Sequence, residues 1–403
     1  MKRARRLVGL PPYPFARWAR RVDSACQGGA DVIRLDIGNP DLEPPADVVE
    51  ALCAAARRSD SHGYSGYRGI PALRQSIADY YERRFGVTLD PDSQVVPLIG
   101  SKEGIVNLAL AILDPGDLAL VPDPAYAPYA MGAALAGAEA YHFPLRAENG
   151  FLPDLERIAG EAADRASLLW LNYPNNPTGA TADLAFFERA VDYARERDLL
   201  LCHDAPYSDV AYDGYVAPSV LQVPGAADVT VEFNSLSKTA NMAGWRVGMA
   251  VGNTAALDAL AQVKSNVDSG HFRPVQEAAL KALVLDESWL TERNEVYRER
   301  LGIVVDALCE LGFDAAIPRA TLYVWAQVPD HLPDPERDEA DVPAASSGER
   351  FALSLLQRTG VAVAPGSFFG AEGQEYIRVS VTAPTDRVLE AVRRLRSFAT
   401  GTG

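Results

Sequence analysis

Residues 229–246 have the sequence VTVEFNSLSKTANMAGWR, which joins the end of a buried strand to a chemically reactive loop. The first part, 229–234, is an apolar run of the kind found in strands. Lys238 follows between two hydroxyl side chains, and Arg246 comes eight residues after it. An amine that forms a Schiff base needs a fixed and partly desolvated position, and a bound phosphate needs hydroxyls, backbone N–H groups and an arginine. The stretch therefore predicts a strand end that carries a reactive lysine and a phosphate site.

The chain between about residue 95 and residue 252 alternates short apolar runs with amphipathic segments. Short apolar runs without internal alternation are typical of strands buried on both faces, and helices between them indicate parallel connections. We therefore predict an α/β fold with a mostly parallel sheet. The strand-like runs are 95–99, 118–121, 168–171, 199–202, 229–233 and 247–251.

The pattern changes after about residue 290, where a charged helical stretch precedes short apolar runs and a closing helix. We predict two domains on this basis. Residues 45–290 form the large domain, and residues 1–44 together with 291–403 form a smaller α+β domain with an N-terminal arm. The segment 329–349, rich in aspartate, glutamate and proline, is predicted to be an exposed loop.

The composition describes an ordinary globular protein, with 48% hydrophobic and 23% charged residues in a chain of 403. The 38 basic and 54 acidic side chains give a formal net charge of −16, which argues against nucleic acid or an anionic membrane as a partner. No apolar stretch has the length of a membrane span or of a signal-peptide core, so we expect a cytoplasmic protein. No metal site is expected, because the five histidines and four cysteines are scattered without a metal-binding spacing.

Polar side chains follow several of the predicted strands at the point where each strand ends. In α/β folds the carboxyl ends of the strands meet at one edge of the sheet, and ligands bind there. Ser101 and Lys102 follow Gly100 at the start of a predicted helix, whose N–H groups and dipole suit a phosphate. Asp204 follows the apolar run 199–202 and is expected to be buried. A buried carboxylate is costly without a cation, so Asp204 calls for a partner such as a protonated ring nitrogen.

Pyridoxal phosphate needs four things from a protein: a Schiff-base lysine, an acid at the pyridine nitrogen, donors at the ring hydroxyl, and a phosphate cradle. Lys238 and Asp204 supply the first two, and Tyr207 stands three residues after Asp204 as a donor to the ring oxygen. Asn176, in the rigid turn NNPTG, follows another apolar run and is placed to contact the same oxygen. Tyr126 is a candidate either to stack on the ring or to pack in the core.

Several short stretches spread along the chain have the form seen in one enzyme family. They are LPPY at 10–13, IGNPD at 37–41, HGY at 62–64, IGSKEG at 99–104, NNPTG at 175–179, HD at 203–204 and VEFNSLSKTANMAGWR at 231–246. On these stretches the chain resembles the class I and II aminotransferases of pyridoxal-phosphate fold type I, over nearly its whole length. It is particularly similar to the branch that contains LL-diaminopimelate aminotransferases and related alanine and glutamate aminotransferases.

The resemblance implies a role for each residue of a cofactor site. Lys238 forms the Schiff base and moves the proton at the substrate α-carbon, and Asp204 pairs with the pyridine nitrogen. Tyr207 and Asn176 contact the ring oxygen, and Tyr126 stacks on the ring. The phosphate is held by Ser101, the backbone of Lys102, Ser235 and Arg246.

The resemblance also implies a substrate site that two subunits share. Arg378 clamps the substrate α-carboxylate with its guanidinium fork, Gly38 lies against that carboxylate, and Tyr13 closes over the substrate. Tyr64 reaches the phosphate bound by the neighbouring subunit. The family therefore implies a homodimer with shared active sites.

Arg68 departs from the pattern of the diaminopimelate enzymes, which tend to carry an acid in the loop after the tyrosine. The loop here is YSGYRG at 64–69, in which Arg68 would repel a distal ammonium and attract a distal carboxylate. We therefore hypothesise that diaminopimelate is not the substrate, and that Arg68 helps a dicarboxylate such as glutamate or 2-oxoglutarate to enter one half-reaction. An Arg68 that faces solvent or pairs with a local acid is the equally open alternative.

Two hypotheses on the reaction stay open at this point. The leading one is reversible transamination between an L-amino acid and a 2-oxo acid. The alternative is another pyridoxal-phosphate reaction on the same scaffold, by an elimination or replacement lyase or an oxidase in secondary metabolism. Ala240, where relatives often carry tyrosine, favours a specialised substrate without identifying it. A nicotinamide-dependent dehydrogenase is disfavoured, because no GxGxxG follows a predicted strand.

Overall fold

The computed structural model describes residues 4–8, 10, 13–332 and 346–400, and these residues contain two separate β-sheets. Residues 333–345 of the predicted loop lie outside the described residues. The strands are β1 (Ile33–Leu35), β2 (Val95–Leu98), β3 (Leu118–Asp123), β4 (Glu139–Pro144), β5 (Ala166–Asn172), β6 (Leu200–Asp204), β7 (Thr230–Ser235), β8 (Gly248–Gly252), β9 (Tyr323–Gln327), β10 (Val361–Pro365) and β11 (Tyr376–Ser380).

The α-helices lie between and around these strands. They are α1 (Arg5–Val8), α2 (Pro14–Gln27), α3 (Ala46–Ala56), α4 (Pro71–Phe85), α5 (Ser101–Ile112), α6 (Pro128–Ala136), α7 (Gly160–Arg165), α8 (Leu184–Glu196), α9 (Leu236–Thr239), α10 (Thr254–Val267), α11 (Arg273–Ala282), α12 (Glu287–Glu310), α13 (Ser347–Thr359) and α14 (Thr385–Thr400). None of the helices in the described part of the chain is both long and apolar enough to cross a lipid bilayer.

Local sequence explains where several helices begin and end. Pro71 and Pro128 start α4 and α6, where a proline breaks no hydrogen bond within the helix. Gly86 ends α4 in the left-handed conformation, with φ 67°. Asp183 caps α8, because its side chain accepts a hydrogen bond from the Phe186 amide at 2.8 Å. These boundaries are therefore set by the residues themselves.

The larger sheet has the strand order β2-β8-β7-β6-β5-β3-β4. Neighbouring strands are parallel from β7 to β4, and β8 is antiparallel to both β2 and β7. The predicted α/β fold with a mostly parallel sheet is therefore confirmed, and every predicted apolar run between 95 and 251 is a strand. The sequence does not predict β4, because EAYHFP mixes polar and apolar residues along a partly exposed edge strand.

Side chains of β5 alternate between two apolar cores, one on each face of the larger sheet. Leu169 and Leu171 belong to one core, while Leu168 and Trp170 belong to the other. Each of these side chains is at most 1% exposed. Because each buried leucine contributes about 1.5–3 kcal/mol, both faces of the strand are tightly fixed. The ends of such strands are rigid positions for site residues.

The smaller sheet has the strand order β1-β10-β11-β9, with β1 parallel to β10. Since β1 precedes the larger sheet in the chain, the N-terminal segment and the C-terminal part share one sheet. Helices α13 and α14 pack on it through side chains such as Leu355 and Val392. The exact domain boundaries at residues 45 and 290 stay a prediction, and α12 runs continuously through residue 290.

Candidate active site

The carboxyl ends of β5, β6 and β7 open into a cavity of about 330 Å³, which side chains from both sheets line. All the predicted site residues except Tyr64 and Arg68 are among them. They are Tyr13, Gly38, Ser101, Lys102, Tyr126, Asn176, Asp204, Tyr207, Ser235, Lys238, Arg246 and Arg378. The fold therefore brings these residues together, while the role of each one stays a prediction.

Lys238 lies in the short helix α9, directly after β7. Ser235 caps this helix, because its hydroxyl accepts a hydrogen bond from the Ser237 amide at 3.2 Å. The Lys238 amine donates a hydrogen bond to the Gly38 carbonyl. Burial, followed by the cations of Arg378 and Arg246, lowers the pKa of Lys238 to about 7. A large share of the amine is therefore neutral near neutral pH, which is the form that acts as a nucleophile or a base.

Asp204 ends β6 and is 3% exposed. Its Oδ2 accepts a hydrogen bond from the Tyr129 hydroxyl at 2.7 Å, while its Oδ1 is buried without a partner. Burial raises the pKa of Asp204 to about 6, and the Tyr129 hydrogen bond acts in the opposite direction. A buried acceptor without a donor is rare in folded proteins. Asp204 is therefore prepared to pair with a hydrogen-bond donor in the cavity.

Two glycines allow the start of α5 and Arg246 to come close together. Gly100 precedes α5 with φ 73°, and a Cβ on it would lie 2.0 Å from Nη2 of Arg246. A Cβ on Gly248 would lie 2.6 Å from the Ser101 amide nitrogen. First-turn N–H groups, Ser101, Ser235 and a guanidinium thus line the same cavity. Such a set binds a phosphate group.

Arg378 lies on β11 and is 3% exposed. Its Nη1 donates to Oδ1 of Asn176 at 2.7 Å, and its Nη2 donates to the Asp36 carbonyl at 2.8 Å. Its Nε is buried without a partner. The guanidinium carbon also lies 4.1 Å from the centre of the Tyr323 ring and 4.7 Å from that of Phe369. These contacts fix the position of Arg378. Both of its hydrogen bonds go to neutral oxygens, so its positive charge is available to bind a carboxylate.

Asn172 connects the ends of β5 and β6. Its Oδ1 accepts a hydrogen bond from the Asn176 amide at 2.8 Å, and its Nδ2 donates to the Asp204 carbonyl at 2.6 Å. Asn175 holds the turn from within, since its Oδ1 accepts hydrogen bonds from both the amide and the hydroxyl of Thr178. The NNPTG turn is therefore fixed to the strand that carries Asp204.

Aromatic side chains and a lysine form much of the remaining wall. The Tyr207 hydroxyl is 2.8 Å from the Tyr323 hydroxyl, and burial raises the pKa of Tyr207. Burial likewise raises the pKa of Tyr126, so both phenols stay protonated. The Lys102 ammonium lies 4.2 Å from the centre of the Tyr13 ring. Its side chain therefore faces the cavity, whereas the sequence suggests a role for its backbone alone.

Tyr64 and Arg68 do not line the cavity of their own chain. Tyr64 is 93% exposed. Arg68 Nη1 lies 3.5 Å from the Asp258 carboxylate, which is the local acid pair that the sequence leaves open. A role for either residue across a subunit interface is untested within one chain and stays a prediction.

Among the residues that contact the predicted set, the sequence does not single out Tyr129 and Tyr323. Tyr129 donates to Asp204 and stacks on Trp170, with ring centres 4.8 Å apart. Its one signal is its place three residues after Tyr126, and the centres of the two rings lie 5.8 Å apart. Tyr323 contacts both Tyr207 and Arg378 and has no local signal at all. Ala240, which suggested a specialised substrate, is buried in the core and does not line the cavity.

Metal-binding side chains do not cluster around the cavity or elsewhere in the described residues. The polar groups of the cavity are instead an amine, a carboxyl, guanidinium groups, hydroxyls and helix N–H groups. This chemistry suits an organic anion with a ring nitrogen rather than a bare cation.

Known proteins resemble this chain along almost its whole length. Residues 30–395 match the family model described as aminotransferase class I and II. The LL-diaminopimelate aminotransferase of Moorella thermoacetica is 47% identical over 396 residues, which cover 98% of each chain. The enzyme of the same name from Desulforudis audaxviator is 48% identical over 393 residues, covering 98% of this chain and 97% of that relative.

Solved structures share the fold as well. The apo-BacF structure from Bacillus subtilis has a TM-score of 0.92 at 36% identity and covers 100% of both chains. Aspartate aminotransferase from Thermus thermophilus with maleate has a TM-score of 0.88 at 29% identity and covers 98% of both chains. The expected family, the fold type I architecture and the leading hypothesis of transamination are thereby confirmed. The chain belongs to the class I and II aminotransferases, pyridoxal-phosphate-dependent enzymes that move an amino group between an amino acid and a 2-oxo acid.

Proposed function

We propose that the cavity binds pyridoxal phosphate, and the unpaired Oδ1 of Asp204 is the observation that carries this proposal. A buried carboxylate oxygen without a donor suits a protonated pyridine nitrogen. Lys238 in the same cavity suits the aldehyde, while Arg246 and the start of α5 suit the phosphate. Each polar part of one cofactor thus has a counterpart among the lining residues.

The lining residues divide into a set that holds the cofactor and one that acts on the substrate. When bound, pyridoxal phosphate supplies an aldehyde that condenses with amines and a ring that stores the electron pair left at the α-carbon. Lys238 moves the α-proton, because its pKa of about 7 lets the amine both take and release a proton at neutral pH. The holding set is Asp204 at the ring nitrogen, Tyr207 and Asn176 at the ring oxygen, Tyr126 on the ring face, and Ser101, Lys102, Ser235 and Arg246 at the phosphate.

Arg378 binds the α-carboxylate of the substrate in this proposal. The guanidinium has a free Nε, and its two other nitrogens contact neutral oxygens that a carboxylate can displace or share. Gly38 leaves room beside it, because a Cβ there would lie 1.9 Å from the Tyr323 hydroxyl. The carboxylate and the amine of an amino acid are thereby oriented toward Arg378 and Lys238.

The substrate carries a second carboxylate at its far end in our proposal, with LL-diaminopimelate and glutamate as the first candidates. Lys102 supports this, since its ammonium lies at the cavity wall beside Tyr13. The two relatives named for LL-diaminopimelate, an amino acid with two carboxylates, support it as well. The hypothesis that diaminopimelate is excluded depends on Arg68 facing the substrate. In the described chain Arg68 lies outside the cavity beside Asp258, which gives that hypothesis no support.

A homodimer completes the site in this proposal. Tyr64 and Tyr67 are 93% and 55% exposed, which leaves two aromatic side chains in water on one loop. Ser65 anchors that loop, because its hydroxyl donates to the His271 carbonyl at 2.8 Å. Light scattering measures the subunit number, and Tyr64→Phe should weaken phosphate binding. A monomer with full activity would refute the shared site.

One experiment tests the cofactor and the reaction together. The purified protein is loaded with pyridoxal phosphate and mixed with LL-diaminopimelate, glutamate, alanine and phenylalanine in turn. Loss of the bound chromophore together with one equivalent of 2-oxo acid is the expected result. Release of ammonia, or a Lys238→Ala variant that keeps the wild-type chromophore, would overturn the proposal.

Lys102→Met tests the substrate class. We expect KM for the dicarboxylic amino acids to rise about 10- to 100-fold, the value of one charged hydrogen bond, with little change for alanine. Lys281→Met, on the exposed surface of α11, is the matched control. Equal effects of Lys102→Met on all four amino acids would contradict the second-carboxylate site.

A further inference from the structure

Tyr323 connects the two halves of the cavity. It lies on β9 of the smaller sheet and is 2% exposed. Its hydroxyl is 2.8 Å from that of Tyr207, which follows β6 of the larger sheet. Its ring faces the guanidinium carbon of Arg378 at 4.1 Å. Tyr323 therefore contacts both Tyr207, at the proposed position of the ring oxygen, and Arg378, at that of the α-carboxylate. The proposed reaction assigns no role to either contact.

The number of hydroxyl protons fixes the direction of the hydrogen bond between the two tyrosines. A phenol has one proton to donate, and its oxygen accepts further bonds. When Tyr207 donates its proton to the cofactor ring oxygen, the proton between the two tyrosines must come from Tyr323. Burial and the adjacent Tyr323 hydroxyl raise the pKa of Tyr207, so its proton is retained. The order of donation is then Tyr323 to Tyr207 to the ring oxygen.

We propose that Tyr323 is a positioning residue that strengthens the donor bond of Tyr207 through its hydroxyl and supports the Arg378 carboxylate clamp through its ring. This inference rests on the proposed binding of pyridoxal phosphate. A hydroxyl that accepts a hydrogen bond becomes a better donor, by about 10–30% of the bond strength in condensed phases. A cation held over a ring is restrained in position, which keeps the guanidinium plane ready for a carboxylate.

The two contacts are separable by substitution. Tyr323→Phe removes the hydroxyl and keeps the ring, while Tyr323→Leu removes both. A weaker donor leaves the ring oxygen more basic, so it holds its neighbouring proton to higher pH. We expect Tyr323→Phe to raise the pH midpoint of the bound-cofactor absorbance by about 0.1–0.7 unit, with KM for the amino acid nearly unchanged. Tyr323→Leu raises the midpoint equally and also raises KM.

Two further variants establish the route through Tyr207. Tyr207→Phe removes the tyrosine hydroxyl that donates to the ring oxygen and raises the midpoint by about one to two units. The double variant Tyr207→Phe with Tyr323→Phe shows no additional shift of the midpoint, because the Tyr207 hydroxyl that Tyr323 strengthens is already absent. If the two midpoint shifts were additive in the double variant, Tyr323 would not act through Tyr207 and the inference would be overturned. The charged groups that face this pair are Arg378, Asp204 and Lys238, and all three are retained in every variant.

Tyr212→Phe is the matched control for the loss of a buried phenol. The Tyr212 hydroxyl donates to the Thr321 carbonyl at 2.6 Å, two residues before Tyr323 and away from the cavity. It should leave the midpoint and KM at wild-type values, whatever its effect on stability. A Tyr323→Phe midpoint equal to that of wild type refutes the inference alone. A wild-type protein that shows no cofactor absorbance refutes the proposed function instead, so the two failures are distinguishable.

Discussion

Tyr129→Phe removes the 2.7 Å hydrogen bond to Asp204 and keeps the ring that stacks on Trp170. Burial raises the pKa of Asp204 to about 6, even though Tyr129 stabilises the ionised form. A hydrogen bond to a charged group contributes about 1.5–3 kcal/mol, which corresponds to about one to two pH units. In the variant Asp204 therefore titrates between about pH 7 and pH 8 in the absence of cofactor.

Cofactor affinity follows from this titration, because the ring nitrogen pairs with the ionised form of Asp204 in the proposed site. Protons compete with the cofactor below the pKa, so a higher pKa extends this competition to higher pH. Relative to wild type at the same pH, Tyr129→Phe should bind pyridoxal phosphate about 5- to 50-fold more weakly at pH 6 and about 2- to 10-fold more weakly at pH 7. Above about pH 9 the two proteins should bind alike, since Asp204 is ionised in both.

Equilibrium dialysis of apoenzyme against pyridoxal phosphate, at several pH values, measures the ratio of dissociation constants. Comparing both proteins at each pH cancels the ionisation of the cofactor itself. Tyr81→Phe is the control, because its hydroxyl donates to the buried Glu232 at 2.9 Å and lies away from the cavity. A Tyr129→Phe ratio that stays constant with pH, or that equals the Tyr81→Phe ratio, would show that Tyr129 does not control the ionisation of Asp204.

Three further outcomes follow from the same geometry. Arg378→Lys keeps the charge and loses the guanidinium fork, so steady-state kinetics should show KM for the amino acid raised about 10- to 100-fold; an unchanged KM would contradict the clamp. Gly100→Ala puts a Cβ 2.0 Å from Nη2 of Arg246, at a position where φ is 73°. Dialysis should therefore show about tenfold or greater loss of affinity for pyridoxal phosphate. The affinity for pyridoxal, which lacks the phosphate, should change little. Stopped-flow absorbance measures how fast the apoenzyme captures the cofactor. The rate should rise as the pH rises through about 7 and then level off, since the neutral Lys238 amine reacts. A midpoint at the ordinary lysine pKa would show that burial does not shift the pKa of Lys238.

How much of the site can be predicted from the sequence depends on whether the signal is local. Lys238 and Asp204 each follow a recognisable strand, so the rule for strand ends brings them together without further information. Tyr129 and Tyr323 meet Asp204 and Tyr207 across 75 and 116 residues of chain. A tyrosine within an apolar segment is indistinguishable from a core residue in the sequence. Its hydroxyl partner becomes visible only when the sheets are assembled.

The direction of a side chain and its contacts with another subunit are also difficult to predict from the sequence. The motif around Lys102 predicts a helix start, and it does not show that the long side chain turns toward Tyr13. Arg68 is paired with Asp258, which lies 190 residues further along the chain. The predicted role of Tyr64 needs a second copy of the chain, which no pattern within one copy can position.

The bonds of Arg378 have a consequence for biosynthesis. Its guanidinium is held by groups that lie 202 and 342 residues earlier in the chain. The ribosome therefore synthesises helix α9, which carries Lys238, long before β11 emerges, and domains form as units during synthesis. A chain cut short before residue 378 keeps its reactive amine and lacks the guanidinium that binds the α-carboxylate in the proposed site. The proposed site for the substrate carboxylate is thus completed only after β11 has been synthesised.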